Sequence, residues 1–399
     1  MESSAPLLLA GAFVLSQWSD LGPARWLLRG LPLWALLVLL ALPRARRAQV
    51  RLSAPLLAFS LWCVVSITWS ADPDTSVHRL ADLLALVTAG WLAGQVCGRA
   101  VVRILARAVR VVLVATVVTL LVAPGWATAA GADGAPGWHG LFPHKNGLGF
   151  FCAFAAVTLW TQLPPGRSRW MWVGLVVVLL LGSESASALA ATATAAVVLV
   201  WSTARGRRAA GPARLVVDTA AATLLGLLVA VAVLRPGWVL EALGRDDSLT
   251  GRRAIWTAVL HHTADRPLVG QGFGGVWGEN SPVTLALWRE SRFDAFYAHN
   301  GWLDVLLQVG WVGLVLLGLL LITLSARAVR TGRRTGAWAL GVLALLLVTA
   351  MTESSPFTGN GLFLLALLAG CLGRLPTGEH LREAQPPSAA AVPGRRVSV

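Results

Sequence analysis

Residues 300–325, NGWLDVLLQVGWVGLVLLGLLLITLS, decide the fold class of this chain. A helix needs about 20 mostly apolar residues to cross the hydrocarbon core of a bilayer, and this run meets that length with a single charged side chain, Asp304. Across the 399 residues, 56% are hydrophobic and 13% are charged. Soluble domains carry roughly 25% charged residues, and even large ones cannot bury this much apolar surface. The composition therefore excludes a soluble cytoplasmic enzyme, a disordered chain and a secreted disulfide scaffold.

The same apolar pattern recurs along the chain and predicts an all-α polytopic membrane protein with about 12 (10–12) transmembrane helices. We expect transmembrane helices 1–9 in residues 1–235, one long extracytoplasmic loop in 236–299, helices 10–12 in 300–374 and a disordered cytoplasmic tail in 375–399. The predicted spans are about 4–19, 27–43, 52–69, 79–97, 108–124, 146–163, 169–183, 186–203, 215–235, 300–325, 337–353 and 360–374.

The formal net charge of +14 serves topology rather than nucleic-acid binding. If alternate connections are cytoplasmic, 22 of the 33 Lys and Arg residues fall on that side, in clusters such as 44–51, 99–110 and 327–334. Such a bias is the positive-inside rule, and tryptophans at the predicted span ends match an interfacial belt. The sequence therefore predicts a multi-pass plasma-membrane protein with both termini in the cytoplasm.

The polar chemistry collects on the opposite side, in two long connections at about 125–145 and 236–299. Six of the seven histidines and the only lysine of the chain are predicted on this side of the membrane, and all of them except His78 lie in these two connections. They are His78, His139, His144, Lys145, His261, His262 and His299. Long loops in compact proteins usually carry function.

The longer loop holds a predicted helix with Thr250 as its N-cap and with Arg252 and Arg253 in the first turn. Two guanidiniums beside free backbone N–H groups form a good site for a phosphate. The glycine-rich segment 270–275 predicts a flexible turn and not a dinucleotide fingerprint, since no strand precedes it. The loop closes on His299 at the start of the tenth predicted span.

Each feature also has a plainer interpretation. Arg252 and Arg253 are also compatible with solvated or lipid-headgroup charges, and the pair His261-His262 is more typical of an exposed polar face than of a metal ligand pair. His144 and Lys145 are also compatible with interfacial residues. Asp72-Pro73-Asp74 imitates an acidic metal-binding triplet but favours a turn after a span.

Five stretches, in order, resemble the O-antigen ligase and Wzy-type polysaccharide polymerase superfamily, most closely its exopolysaccharide-polymerase-like branch. They are Trp69-Ser70-Ala71-Asp72-Pro73 with Arg79, Phe142-Pro143-His144-Lys145-Asn146-Gly147-Leu148-Gly149, Ser183-Glu184-Ser185-Ala186-Ser187, Leu249-Thr250-Gly251-Arg252-Arg253-Ala254-Ile255-Trp256 with Pro267–Gly272, and Ala298-His299-Asn300-Gly301-Trp302-Leu303-Asp304 with Gly310–Leu314. Arg253, where the family often has Thr or Ser, is a departure from the pattern.

The resemblance implies a GT-C-like membrane glycosyltransferase that moves a glycan from an undecaprenyl-diphosphate carrier to an acceptor hydroxyl, with inversion and without a metal or other cofactor. It implies His299 and Arg252 as catalytic residues. Arg79, Lys145 and Arg253 would bind the donor diphosphate, and His144, Asn146 and Asn300 would bind sugar or orient other groups. The acceptor, which is glycan, lipid or protein, stays open, as does the choice between polymerase and ligase.

Two readings from other classes remain. A transporter of lipid-linked sugar or of a small anion would favour charges at mid-membrane and internal repeats, whereas Asp82, Asp218, Asp304 and Glu353 lie near predicted span ends. A non-catalytic partner in envelope assembly predicts that substitution of His299 is harmless.

Overall fold

The computed structural model describes residues 51–128, 137–205, 251–331, 333–359 and 361–373, and these ranges contain helices and no strand. The helices are α1 Ala54–Val65, α2 Pro73–Cys97, α3 Val101–Val122, α4 Pro124–Ala127, α5 Lys145–Gln162, α6 Arg167–Gly182, α7 Ala186–Arg205, α8 Arg252–Thr263, α9 Pro282–Ser291, α10 Gly301–Arg330, α11 Arg333–Thr349, α12 Ser355–Thr358 and α13 Gly361–Leu372. Short 3₁₀ turns occupy Ser66–Trp69, Gly98–Ala100 and Gly275–Trp277. The predicted all-α class is confirmed for the described residues.

Three helical stretches in the described ranges have the length and apolar composition to cross a membrane: Pro73–Val122, Ala186–Arg205 and Gly301–Arg330. Shorter apolar helices are Ala54–Trp69, Arg334–Thr349 and Gly361–Leu372. Each predicted span within the described ranges overlaps an observed helix. The predicted spans 4–19, 27–43 and 215–235, Asp218 and the tail 375–399 lie outside the described residues, so the number of spans and the orientation stay predictions.

The connection that we predicted between the spans 79–97 and 108–124 is shorter in the structure. Only the 3₁₀ turn Gly98–Ala100 separates α2 from α3, and α3 begins seven residues before the predicted start. Val102, Leu105 and Val109 are buried, whereas Arg103 and Arg107 are exposed. This spacing puts the arginines on the helix face opposite the core, so the positive cluster is part of an amphipathic helix rather than a loop.

Helices α2 and α13 pack closely because small residues line their contact. Gly90 and Gly94 lie one helical turn apart on α2, and a Cβ at either position would clash with the backbone of α13. Gly370 on α13 stands in the same relation to the carbonyl of Trp91. Small residues at four-residue spacing are typical of helix contacts within membranes, where close backbone approach and dispersion replace the hydrophobic effect.

Helix α10 is broken near its middle, and this break positions the glycine-rich segment. Gly310 has φ +67°, which frees backbone groups on either side of it. The N–H of Gln271 donates to Leu307 O (2.9 Å), Gly272 N–H donates to Gln308 O (2.8 Å), and Trp311 N–H donates to Pro267 O (2.9 Å). The segment 267–272 therefore satisfies the groups that the kink leaves without helical partners.

Candidate active site

The Phe142–Gly149 motif forms the start of α5. His144 is the N-cap, and its Nδ1 accepts a hydrogen bond from Asn146 N–H (3.1 Å), which in a neutral ring places the proton on Nε2. The Asn146 side chain then points across to another segment, because its Nδ2 donates to Glu353 Oε1 (2.8 Å). Its Oδ1 accepts from Ser185 Oγ (3.0 Å), and Ser185 in turn lies 3.2 Å from Ser187 Oγ.

Arg252 lies in the first turn of α8, as predicted, but the helix begins at this residue and its N-cap is Gly251 rather than Thr250. Gly251 has φ +59°, and a Cβ there would meet the ring of Phe293, so both the backbone conformation and the space require glycine. The Arg252 side chain turns inward and is buried. Its Nη1 donates to Thr352 O (2.7 Å), and its Nη2 lies 3.5 Å from Glu353 Oε1.

Glu353 is the residue that joins these motifs, and sequence reasoning missed it. The same oxygen, Oε1, meets both Asn146 and Arg252, so hydrogen bonds and one ion pair connect Ser187, Ser185, Asn146, Glu353 and Arg252 in series. The sequence offered only one signal, an acidic residue beside an apolar run. Its two partners lie 207 and about 100 residues away along the chain, a pairing that no local pattern reveals.

His299 is held close to the start of α8 by its neighbours in sequence. Trp256, one helical turn after Arg252, donates its Nε1 proton to Ala298 O (2.7 Å). On the other side, Gly301 N–H donates to Ala350 O (2.7 Å), three residues before Glu353. The ring of Tyr297, the only tyrosine of the chain, packs on the His299 ring with centroids 4.4 Å apart.

The backbone of His299 has φ +52°, a left-handed conformation that is uncommon outside glycine. Histidine, asparagine and aspartate enter this region more readily than branched residues do. Unusual backbone conformations of this kind cluster at functional sites, where the surrounding structure imposes them. The geometry therefore marks His299 as a position under specific constraint.

Asn300 and Asp304 shape the start of α10. Asn300 is buried, and its Oδ1 accepts from the N–H groups of Trp302 (3.0 Å) and Leu303 (3.2 Å) as the N-cap. The buried Asp304 accepts through Oδ1 from Trp277 Nε1 (2.6 Å) and Gln308 Nε2 (2.9 Å). The Asn300 oxygen is thus used for capping. A hydrogen bond from Asn300 to a sugar would therefore have to come from its amide nitrogen.

Arg79 lies on α2 beside the glycine-rich segment. A Cβ at Gly274 would clash with the Arg79 side chain. Arg79 itself is exposed. Residues 270–278 are buried, and the segment is hydrogen-bonded to α10, so the predicted turn packs against the core. The hydrogen bond between Trp277 and Asp304 links this segment to the first turn of α10, which begins two residues after His299.

The remaining predicted residues occupy the edges of this region. Arg253, next to Arg252, is exposed, and Lys145 is half-buried at the first position of α5 with its side chain near Gly137. Asp72, from the acidic triplet, caps α2 by accepting from Thr75 N–H (3.0 Å) and Thr75 Oγ1 (2.7 Å), which is the turn that its position favours. The structure thus links Arg252 to Asn146 through Glu353, holds His299 through Ala298, and places Arg79 against the segment that contacts α10.

Two comparisons with known proteins match this region. Residues 148–318 match a family model described as O-antigen ligase, a range that includes Ser185, Arg252 and His299. The chain is also 30% identical over 339 residues to the exopolysaccharide production protein ExoQ of Rhizobium meliloti (strain 1021). That alignment covers 79% of this chain and 76% of the relative.

Proposed function

This chain belongs to the O-antigen ligase family, and from that membership we propose that it is a membrane glycosyltransferase that extends an exopolysaccharide. The donor is a glycan on an undecaprenyl-diphosphate carrier, and the acceptor is a hydroxyl of a second glycan. The similarity to a relative named for exopolysaccharide production favours a polymerase over a ligase that transfers a finished chain to a lipid or protein.

One observation carries the proposal. The starts of α5 and α8, which are far apart in sequence, meet at Glu353, and the serine segment before α7 joins them through Asn146. Two of the residues that meet, Arg252 and Asn146, are among those that the resemblance assigns to catalysis and to the sugar. A buried polar network of this kind is costly to assemble without a use.

In the proposed reaction, His299 accepts the proton of the acceptor hydroxyl as the oxygen attacks C1 of the donor sugar. The bond between C1 and the diphosphate oxygen breaks, and the diphosphate leaves with the bonding electron pair. Histidine suits the role of base because its ordinary pKa lies near neutral pH. Attack from the face opposite the leaving group inverts the configuration at C1.

The negative charge that develops on the leaving diphosphate is stabilised by guanidiniums, with Arg252 first and then Arg79, Arg253 and Lys145. Two contacts fix the Arg252 side chain, one to Thr352 O and one to Glu353. A guanidinium has five N–H donors in a planar fork, so donors remain for phosphate oxygens after these two contacts. Glu353 acts as a positioning residue, because it holds Arg252 and Asn146 in one orientation.

The test uses variants that keep the local structure. His299→Asn preserves a side chain that tolerates positive φ but cannot act as a base, and Arg252→Lys preserves the charge but loses the planar fork. In cells, each variant is expected to accumulate lipid-linked repeat units and to lose finished polymer by at least about 10²-fold. Matched controls are His78→Asn and Arg289→Ala, which change exposed residues of the same types elsewhere. Normal polymer in both site variants, at normal protein levels, contradicts the proposal.

A different measurement distinguishes a transporter from a glycosyltransferase. Reconstituted protein that moves lipid-linked sugar across proteoliposomes, with no change in the glycan, would replace the glycosyltransferase reading. A non-catalytic assembly partner predicts full polymer with His299→Asn.

A further inference from the structure

A second cluster of ionisable side chains lies at the opposite end of α8 from Arg252. His261 and His262, in the last turn of α8, face Glu290 near the end of α9. One ligand atom from each of these residues lies within 4.8 Å of the others. Nine residues of helix, roughly 14 Å, separate His261 from Arg252, so this cluster is not part of the site described above.

Two distances within the cluster are close to the spacing of ligands around one small ion, and the third lies within 4.8 Å. His261 Nδ1 lies 3.0 Å and His262 Nε2 lies 3.3 Å from the same oxygen, Glu290 Oε2. Zinc binds imidazole nitrogens and carboxylate oxygens at about 2.0–2.2 Å, so tetrahedral ligand atoms stand about 3.4 Å apart.

Asp265 supplies an independent observation. Its Oδ2 lies 3.6 Å from His262 Nδ1, on the side of the ring away from Glu290. Histidines that bind metals commonly direct their second ring nitrogen to a carboxylate, which fixes the tautomer and the ring orientation.

We propose that His261, His262 and Glu290 bind one zinc ion, with Asp265 holding His262 and with water at the fourth position. Imidazole ligands favour zinc and its neighbours in the transition series over magnesium or calcium, which prefer oxygen alone. The ion joins the C-terminal end of α8 to α9 and so stiffens the helix whose other end carries Arg252. This assignment does not depend on the glycosyltransferase proposal.

The experiment uses the full chain without a polyhistidine tag, purified in detergent and stripped of metal with a chelator. Titration with zinc chloride, followed by calorimetry, is expected to give one site per chain and a rise in Tm, because an ion that binds only the folded state stabilises it. Magnesium and calcium chloride are expected to give neither. Absence of saturable zinc binding overturns the proposal.

Variants test each role. His261→Gln changes an exposed side chain, so folding is preserved, and together with Glu290→Gln it is expected to abolish the site. Asp265→Asn is expected to keep one site but to weaken zinc affinity by about 10–100-fold, an effect that a simple surface ion pair does not produce. The matched control, His78→Gln, removes an exposed histidine outside the cluster and is expected to bind zinc as the native chain does. Unchanged zinc affinity in His261→Gln and Glu290→Gln overturns the assignment.

Discussion

The two ends of α8 present the same chemical pairing in opposite surroundings. At the N-terminal end, Arg252 pairs with Glu353, and their side chains are 7% and 18% exposed. At the C-terminal end, His261 pairs with Glu290, and these side chains are 67% and 35% exposed. Each end therefore places basic groups against a single glutamate from another part of the chain.

The difference in burial sets what each pair can do. Charges that are removed from water are costly unless they remain paired, so a buried pair holds its members in one geometry. Exposed pairs contribute little to stability and are screened by salt, which leaves their groups able to exchange partners. One end of α8 is thus suited to fixed positioning, and the other is suited to reversible binding of an ion.

The largest expected effect comes from breaking the buried pair. Glu353→Ala leaves the Arg252 guanidinium without its carboxylate and removes the acceptor of Asn146 Nδ2, so we expect a loss of about 3–5 kcal/mol in the free energy of unfolding. Chemical denaturation of the purified chain measures it. The double variant Glu353→Ala/Arg252→Ala is expected to be less destabilised than the sum of the single variants. A sum that is strictly additive would mean that the two residues do not interact.

A smaller loss is expected where α10 meets the glycine-rich segment. Trp277→Phe keeps most of the ring volume but removes the 2.6 Å hydrogen bond to Asp304. Removing one partner of a buried hydrogen bond costs about 1–3 kcal/mol, and unfolding experiments are expected to show a loss of this size. The control is Trp170→Phe, which changes an exposed tryptophan on α6. Equal stability in both variants would contradict a role for the Trp277–Asp304 bond.

Capping at the start of α10 has a more moderate expected effect. Asn300→Ala removes the oxygen that accepts from Trp302 and Leu303, which typically costs about 1 kcal/mol. Asn300→Asp retains the acceptor, so we expect it to recover most of the cap. Tm measurements on both variants distinguish capping from packing, because packing alone would make the two equally unstable.

The smallest effect is expected at the exposed end of α8. In metal-free protein, His261→Gln is expected to change the free energy of unfolding by no more than about 0.5 kcal/mol, as surface substitutions usually do. With zinc present, the native chain gains stability and the variant does not. A large loss in the metal-free variant would show that the exposed pair is already a structural contact, which would remove the contrast between the two ends.

Several features of the site follow from local sequence. Arg252 at the first turn of α8, Asn146 at the start of α5 and His299 just before α10 occupy the positions expected from their motifs. The start of α3 and the buried state of residues 270–278 differ from expectation. Arginines spaced along one helix face resemble a polar connection in a hydropathy profile, and glycines resemble a mobile turn unless the neighbouring kink is known.

By itself, the sequence determined the helical membrane character of this protein and the set of polar residues available for chemistry. Apolar length, charge spacing and capping residues act over a few turns of chain, so they can be read directly. The tertiary structure alone decided that Glu353 joins Arg252 to Asn146, that Phe293 requires glycine at position 251, and that His262 stands between two carboxylates. Those contacts connect residues from distant segments, and their strength depends on burial, which only the packed helices establish.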